Sequence, residues 1–319
     1  MSQELAVSTW HWVGFVTAVL FFLALDLGVF HRKAHVVSFR EALTWTTVWF
    51  ALSISFGLFI GPALIPQWAR EDTVEFITGY IIELSLSMDN VFVIALIFAY
   101  FGVPLSYQHR VLFWGILGAL IMRGLMIWIG SELISHFKWT FYVLGAFLIF
   151  TGIKMVFSDD EEVEPEKNPV IRLTRRFFPV SNQFDGSKFI TIQEGRRMLT
   201  PLALVLIMVE TTDLIFAVDS IPAIFAVTQE EFIVFTSNVF AILGLRSLYF
   251  VLAGAIGYFR YLKIGLAIVL VFIGLKMFIA KWYHIPTNFS LIVVAGIIAI
   301  AIIASLLAAK RPTSPPGHS

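Results

Sequence analysis

Long, continuously apolar runs recur along the chain, each close to the twenty or so residues that an α-helix needs to cross a bilayer. Hydrophobic residues make up 58% of the 319 positions and charged residues 14%, against about 45–50% and about 25% in soluble domains. The runs lack the alternation of an outer-membrane barrel. The sequence therefore predicts an all-α, polytopic membrane protein. Its nine predicted helices are Trp10–Phe30, Leu43–Ile65, Phe76–Phe101, Val111–Ile129, Trp139–Phe157, Thr200–Val227, Phe232–Ala255, Tyr258–Ala280 and Ser290–Ala309.

Composition removes several classes of function. The chain has no cysteine, which excludes disulfides, thiolate metal sites, iron–sulfur clusters and cysteine nucleophiles. Its formal net charge is zero, so nothing indicates nucleic acid as a partner. It contains no P-loop, serine-hydrolase elbow, zinc-protease motif or dinucleotide fingerprint. We therefore expect neither an enzyme nor a bound prosthetic group, and the first nine residues lack the positive charge of a signal peptide.

The distribution of Lys and Arg predicts the orientation of the helices. Connections on one side carry fifteen basic residues: Arg32, Lys33, Arg40, Arg110, seven between Lys167 and Arg197, Arg260, Lys263, Lys310 and Arg311. Connections on the other side carry three, namely Arg70, Lys138 and Lys281. Because basic loops stay in the cytoplasm, we expect an outside N-terminus, nine crossings and a cytoplasmic C-terminus.

The chain also contains an internal repeat. An acid, five residues and an aspartate followed by a small polar residue occur twice, from Glu83 to Asn90 and from Asp213 to Ser220. Further matches follow in the same order: Gly115 and Gly118 with Gly244, Arg123 with Arg246, Gly152 with Gly274, and Lys154 with Lys276. Each repeat has three helices, and three is odd, so the second copy enters the membrane from the opposite side. This predicts a 3+3 inverted-topology repeat, an architecture typical of secondary transporters.

These observations predict one transmembrane domain over residues 1–319. Its parts are two N-terminal helices at 10–65, repeat one at 76–157, a cytoplasmic loop at 158–199, repeat two at 200–280 and a C-terminal helix at 290–309. The loop begins with six acids between Asp159 and Glu166 and then becomes basic. Asp185-Gly186 is a turn signal, so the sequence predicts a small hairpin over Phe184–Ile192.

Five carboxylates fall inside predicted spans, where each costs roughly 2.5–3.5 kcal/mol. They are Glu83, Asp89, Glu210, Asp213 and Asp219; Asp26 lies near the end of helix one. Arg123 and Arg246 are the internal charge partners. Two alternatives remain open. Either every acid is in a structural ion pair, or the surplus of acids forms a cation site.

The available ligands favour a hard divalent cation. Asp, Glu, Asn and Ser offer oxygen, which suits Mg²⁺, Ca²⁺ and Mn²⁺, while the seven histidines lie in loops or at span ends. The predicted metal ligands are Glu83, Asp89, Asn90, Glu210, Asp213, Asp219 and Ser220, with Arg123 and Arg246 as supporting charges. Acids six residues apart point about 120° away from each other on an ideal helix. Either the helices unwind, which Pro222 favours at Asp219, or the acids address different walls.

Three motifs resemble the TerC/Alx family of bacterial integral membrane proteins, related to LysE-type exporters. They are Glu83-x5-Asp89-Asn90-Val91-Phe92, Asp213-x2-Phe216-Ala217-Val218-Asp219-Ser220-Ile221-Pro222 and Asn238-x2-Ala241-Ile242-Leu243-Gly244-Leu245-Arg246. The resemblance covers about residues 10–309 and is closest to the Alx branch. It implies an inner-membrane protein associated with manganese export. It also implies site residues at Glu83, Asp89, Asn90, Asp213, Asp219 and Ser220.

Two functional hypotheses follow. The first is a secondary exporter of Mn²⁺ in which the same carboxylates exchange the metal ion for protons. Its partners are the metal ion and the bilayer. The second is a membrane-embedded scaffold or stress-response factor, associated with tellurite resistance through older family names, whose buried acids are structural. Protein partners are not predicted, and an intramembrane hydrolase is a distant third because no second catalytic motif accompanies the acids.

Overall fold

The computed structural model describes residues 5–25, 37–137, 139–157, 168–193, 195–252, 261–280, 282–283 and 285–309. Asp26, the acidic run 159–166 and eight of the basic loop residues used for orientation lie outside the described residues. The helices are α1 Thr9–Leu25, α2 Phe39–Ser55, α3 Gly61–Leu64, α4 Arg70–Tyr100, α5 Leu105–His136, α6 Thr140–Phe157, α7 Pro169–Phe177, α8 Pro201–Phe225, α9 Glu231–Leu252, α10 Leu262–Ile279 and α11 Thr287–Ala309. A π-helical segment, Phe56–Ile60, joins α2 to α3.

The prediction of an all-α membrane protein is confirmed. Within the described residues, eight helical segments are long and apolar enough to cross a membrane. The first predicted run forms α1, a shorter apolar helix whose described part ends at Leu25. The helices α4 and α5 are longer than predicted, because helical hydrogen bonding continues into their polar ends. Asp72, for example, accepts a hydrogen bond from the backbone N–H of Ala69 at 2.6 Å and so caps the start of α4.

The two repeats pack against each other symmetrically: each helix contact has a counterpart in which the two repeats have swapped places. Repeat one consists of α4, α5 and α6, and repeat two consists of α8, α9 and α10. Helix α4 packs on α9 as α5 packs on α8, and α6 packs on α10. Helices α4 and α9 run parallel. Gly79 lies beside Ser237, and Phe98 packs edge-on against Tyr249, so residue numbers rise in the same direction along both helices.

Helices α6 and α10 meet along a glycine seam that obeys the same exchange. A Cβ at Gly152 would lie 2.8 Å from the carbonyl oxygen of Ala267, and one at Gly274 would lie 2.6 Å from that of Gly145. These contacts interconvert when 122 is added to or subtracted from each number. Residue numbers rise along one helix as they fall along the other, so the pair is antiparallel. A two-fold axis that relates two antiparallel helices is perpendicular to both of them. For helices that span a membrane, such an axis lies in the membrane plane, which supports the inverted-topology prediction.

Pro222 does not break α8 at Asp219, contrary to one of the two predicted alternatives. The helix runs without interruption from Pro201 to Phe225. Pro222 lies in its last turn, so its missing N–H removes one hydrogen bond where few helical bonds remain to be disrupted. Asp213 and Asp219 therefore lie on different faces of α8.

The loop between the repeats contains a short helix and a hairpin. The strands β1 Ile190–Gln193 and β2 Arg196–Leu199 pair antiparallel. The hairpin lies later in the chain than predicted, because Asp185-Gly186 forms a separate turn in which Gly186 has φ +54°. There Thr191 and Lys188 donate hydrogen bonds to the Asp185 carboxylate at 2.9 and 3.1 Å, and they lower its pKa.

Candidate functional site

An arginine in the middle of α5 connects the two repeats. The Arg123 side chain is almost fully buried, and its guanidinium bonds to carboxylates on α4 and α8. Its Nη2 donates to Asp213 Oδ1 at 2.9 Å and its Nε donates to Asp213 Oδ2 at 3.2 Å, a two-pronged contact. Its Nη1 donates to Glu83 Oε1. One guanidinium therefore serves acids from both halves of the chain.

Two asparagines complete this Arg123 network. Asn238 on α9 accepts from Arg123 Nη1 at 3.0 Å and donates from Nδ2 to Glu83 Oε2 at 3.2 Å. Asn90 on α4 donates to Asp213 Oδ1 at 3.3 Å. The network thus joins α4 and α5 of repeat one to α8 and α9 of repeat two. Asp213 is the thirteenth of the 25 residues of α8, which places the network near mid-membrane.

A third carboxylate lies one helical turn from Asp213. Glu210 projects from α8 onto the backbone of Gly118 on α5, where a Cβ would overlap its carboxyl oxygens. In the part of the chain that the structure describes, its buried Oε2 has no hydrogen-bond partner. Burial of an unsatisfied acceptor is costly, so this oxygen is one of the least satisfied groups near the network.

Two further predicted ligands show the same feature. Asn90 Oδ1 and Ser220 Oγ are buried and lack a hydrogen-bond partner among the described residues. Ser220 follows Asp213 by seven residues, two helical turns, and so shares its face of α8. Three orphaned oxygens therefore belong to residues that the sequence nominated as ligands. They are Asn90, Glu210 and Ser220.

The other two predicted aspartates are less buried than Glu83 and Asp213. Asp219 is half-buried and accepts a hydrogen bond from Thr151 Oγ1 on α6 at 3.2 Å. Asp89 is half-buried on α4, and Arg123's carboxylate partners within the described ranges are Glu83 and Asp213. No group of three or more Asp, Glu or His side chains is arranged to hold a metal ion in the described residues. The seven predicted ligands are therefore not assembled around one point.

Arg246, the repeat-two counterpart of Arg123, lies apart from the network. It is half-buried and lines a cleft together with Leu23 of α1, Trp45 and Trp49 of α2, and Ile116 of α5. It follows Asn238 by eight residues, about 12 Å along α9. The two arginines match in sequence but differ in burial.

Sequence reasoning did not nominate Asn238 or Gly118 as site residues. Asn238 could have been found as an amide within a long apolar run, the same signal that marks Asn90. Gly118 could not, because its role depends on Glu210 from another helix approaching its backbone. Chemically, the network holds a fixed cation among acids and amides, with uncompensated oxygen ligands beside it.

Comparisons with known proteins agree with this architecture. The integral membrane protein TerC family matches residues 68–313. A membrane protein of Myxococcus xanthus, STKORF319, is 51% identical over 304 residues, covering 95% of this chain and 94% of its own. The Escherichia coli K12 protein named "Putative membrane-bound redox modulator Alx" is 47% identical over 297 residues, covering 92% of each chain. No solved structure matches. The chain therefore belongs to the TerC family of integral membrane proteins, with Alx proteins among its relatives.

Proposed function

We propose that this protein is a secondary transporter that exports a divalent metal ion, with Mn²⁺ as its expected substrate, across a bacterial inner membrane. The N-terminus would lie outside and the C-terminus in the cytoplasm, as the basic residues predict. The substrate would bind near mid-membrane where the two inverted repeats meet. The observation that carries the proposal is the Arg123 network, which joins both repeats at that depth.

The charge of this region supports a cation substrate. Three carboxylates, Glu83, Glu210 and Asp213, lie in or beside the network with a single guanidinium, Arg123. If all four groups are ionised, their formal charge is −2, which one divalent cation would neutralise. Charges buried in a membrane interior are expensive and commonly mark an ion pathway.

In this proposal Arg123 acts as an internal substitute for the substrate. It holds Glu83 and Asp213 together while the metal is absent, and it would move aside when the metal binds. The orphaned oxygens of Asn90, Glu210 and Ser220 are hard donors of the kind that Mn²⁺ accepts. Binding would therefore satisfy groups that otherwise lack a partner.

Asp89 and Asp219 would act away from this centre. Asp219 faces α6 through Thr151, so it would serve a neighbouring step of the path or a proton exchange. A carboxylate can bind either a proton or a metal ion, and inward protons could therefore drive outward metal. Neutralising Asp89 and Asp219 together would show whether transport needs them.

The test is the manganese content of cells that lack the native gene. We expect wild type to lower cell manganese and Glu83→Gln or Asp213→Asn to abolish this effect at matched membrane levels. Glu132→Gln is the matched control, because Glu132 is an exposed carboxylate on α5 paired with His136. Retained export by Glu83→Gln or Asp213→Asn would overturn the proposed site.

Direct binding separates the site from effects on folding. Free Mn²⁺ gives a sharp paramagnetic resonance signal that broadens when the ion is bound. We expect purified wild type to reduce this signal, and Glu210→Gln to weaken binding by an order of magnitude or more while its thermal unfolding stays cooperative. Equal binding by both proteins would remove Glu210 from the ligand set.

The scaffold hypothesis keeps one specific observation in its favour. Glu83 and Asp213 are already neutralised by Arg123, as a structural ion pair would be. The relatives' name suggests redox modulation, but the 319 residues contain no cysteine, so such a role would not use a thiol of this chain. Replacing the acids at 159–166 with serine should impair a scaffold that binds partners through this run and leave a transporter active.

A further inference from the structure

The helix α7 has an exposed apolar face. Val170, Leu173 and Phe177 follow the spacing of three and four that places residues on one side of a helix. Leu173 is 55% exposed and Phe177 is 69% exposed. A face of this kind is unfavourable in water, so a nonpolar environment that covers it would stabilise the helix.

The opposite side of α7 is basic. Arg172, Arg175 and Arg176 project from it, and the nine residues of the helix include no acid. Arginines near the C-terminal end of a helix are also stabilised by the helix dipole, but that effect does not explain the apolar face. A short helix with one apolar side and one cationic side is typical of the membrane–water interface.

The position of α7 agrees with that location. Ile171 is 1% exposed and packs in a cluster with Val103, Val111, Leu202 and Val205. These residues lie just before α5 or near the starts of α5 and α8, at one end of the spanning helices. Ends of spans lie near lipid headgroups, so Ile171 fixes α7 at headgroup depth.

We propose that α7 lies in the plane of the membrane surface and binds anionic phospholipid headgroups. Leu173 and Phe177 enter the acyl boundary, and Arg175 and Arg176 contact the phosphates. Charge complementarity identifies the lipid, because a zwitterionic headgroup offers these arginines no net negative charge. This surface is separate from the Arg123 network and does not depend on metal transport.

The absence of native cysteine permits a clean test, because single cysteines can be labelled without background. Leu173→Cys and Phe177→Cys carry nitroxide labels in vesicles of phosphatidylcholine with or without phosphatidylglycerol. Collisions with oxygen report acyl depth, and collisions with a water-soluble nickel chelate report exposure. We expect both sites to favour oxygen in the anionic vesicles, whereas Arg176→Cys remains accessible to nickel.

The charge requirement is tested by titrating short-chain phosphatidylglycerol into the detergent-solubilised protein and counting bound lipids by native mass spectrometry. Each basic residue near an anionic surface contributes roughly a fivefold change in affinity. Arg175→Gln with Arg176→Gln should therefore weaken binding by an order of magnitude or more, and Arg40→Gln, at an exposed basic residue in the first turn of α2, should not.

Two outcomes would overturn the proposal. One is equal nickel accessibility at Leu173→Cys and Arg176→Cys in the anionic vesicles, which would place the apolar face in water. The other is protection of Leu173→Cys from both oxygen and nickel, which would mean that protein, such as a second copy of the chain, covers the face. Matched unfolding temperatures of the variants exclude misfolding as the cause.

Discussion

The two repeats are equivalent where α6 meets α10 and different in the burial of their matched arginines. At the glycine seam, each half gives the other the same close approach of a glycine to a carbonyl. At the centre, the matched arginines differ in burial: Arg123 is 1% exposed and contacts Glu83 and Asp213, whereas Arg246 is half-buried and lines a cleft beside α1 and α2. The comparison teaches that a repeat can retain its packing geometry while the burial of its matched charged residues differs.

Removing each arginine should give the largest difference between the halves. Arg123→Gln leaves two buried carboxylates without their cation, and breaking a buried pair in this way costs about 3–5 kcal/mol. Arg246→Gln should cost less, because its side chain is only half-buried. Thermal unfolding in detergent compares them, and equal losses would contradict the asymmetry.

The same pair also tests the proposed function. If Arg123 substitutes for the metal, Mn²⁺ should restore part of the lost stability of Arg123→Gln, because a ligand stabilises the state that binds it. Wild type should gain less from Mn²⁺, since its own guanidinium competes. No gain by the variant would separate the ion pair from metal binding.

The seam should respond equally from both sides. Gly152→Ala and Gly274→Ala each place a methyl group against a backbone carbonyl, which cannot move away without shifting its helix. We expect each to lower the free energy of unfolding by about 2–3 kcal/mol. Gly14→Ala is the control, because nothing lies within 4 Å of its added carbon. A loss at only one of the two glycines would show that the seam is not symmetric.

A glycine on α5 and a glycine on α9 should behave differently. Gly118→Ala forces the Glu210 carboxyl group away from α5 and should cost about 1–2 kcal/mol. At Gly244 the nearest atom to an added carbon is Trp49 Cβ, at 3.7 Å. Gly244→Ala should therefore be neutral or stabilising by up to about 1 kcal/mol, since alanine favours the helix. Chemical unfolding measures both, and similar losses would contradict the model of a Glu210 contact specific to α5.

The smallest expected effect concerns the partner of Asp219. Thr151 bonds to Asp219, whereas the matched position in repeat two is Ile273. Thr151→Val should cost about 1 kcal/mol. The cost should disappear in an Asp219→Leu background, and a double-mutant cycle measures this coupling. Additive losses would show that the hydrogen bond contributes no stability.

Much of the candidate site was predictable from sequence, but its assembly was not. Glu83, Asn90, Asp213 and Arg123 stand out as polar groups within apolar runs, and the structure brings them together. Asp89 and Asp219 give the same sequence signal but lie on other helix faces. The sequence indicated Arg123 and Arg246 as internal charge partners. It could not show that one guanidinium reaches both halves, because that depends on how α5 crosses α4 and α8.

The sequence by itself determined the membrane class, the helices, the repeat and the family, because each depends on composition, period or motif within a continuous segment. Only the tertiary structure decided which acids share a cation, which oxygens lack a partner and which glycines lie against carbonyls or a carboxylate. Those properties depend on distances between helices far apart in the chain. In a membrane interior, where unpaired charges are costly, such distances decide whether a carboxylate is stabilised by a neighbour or left available to a substrate.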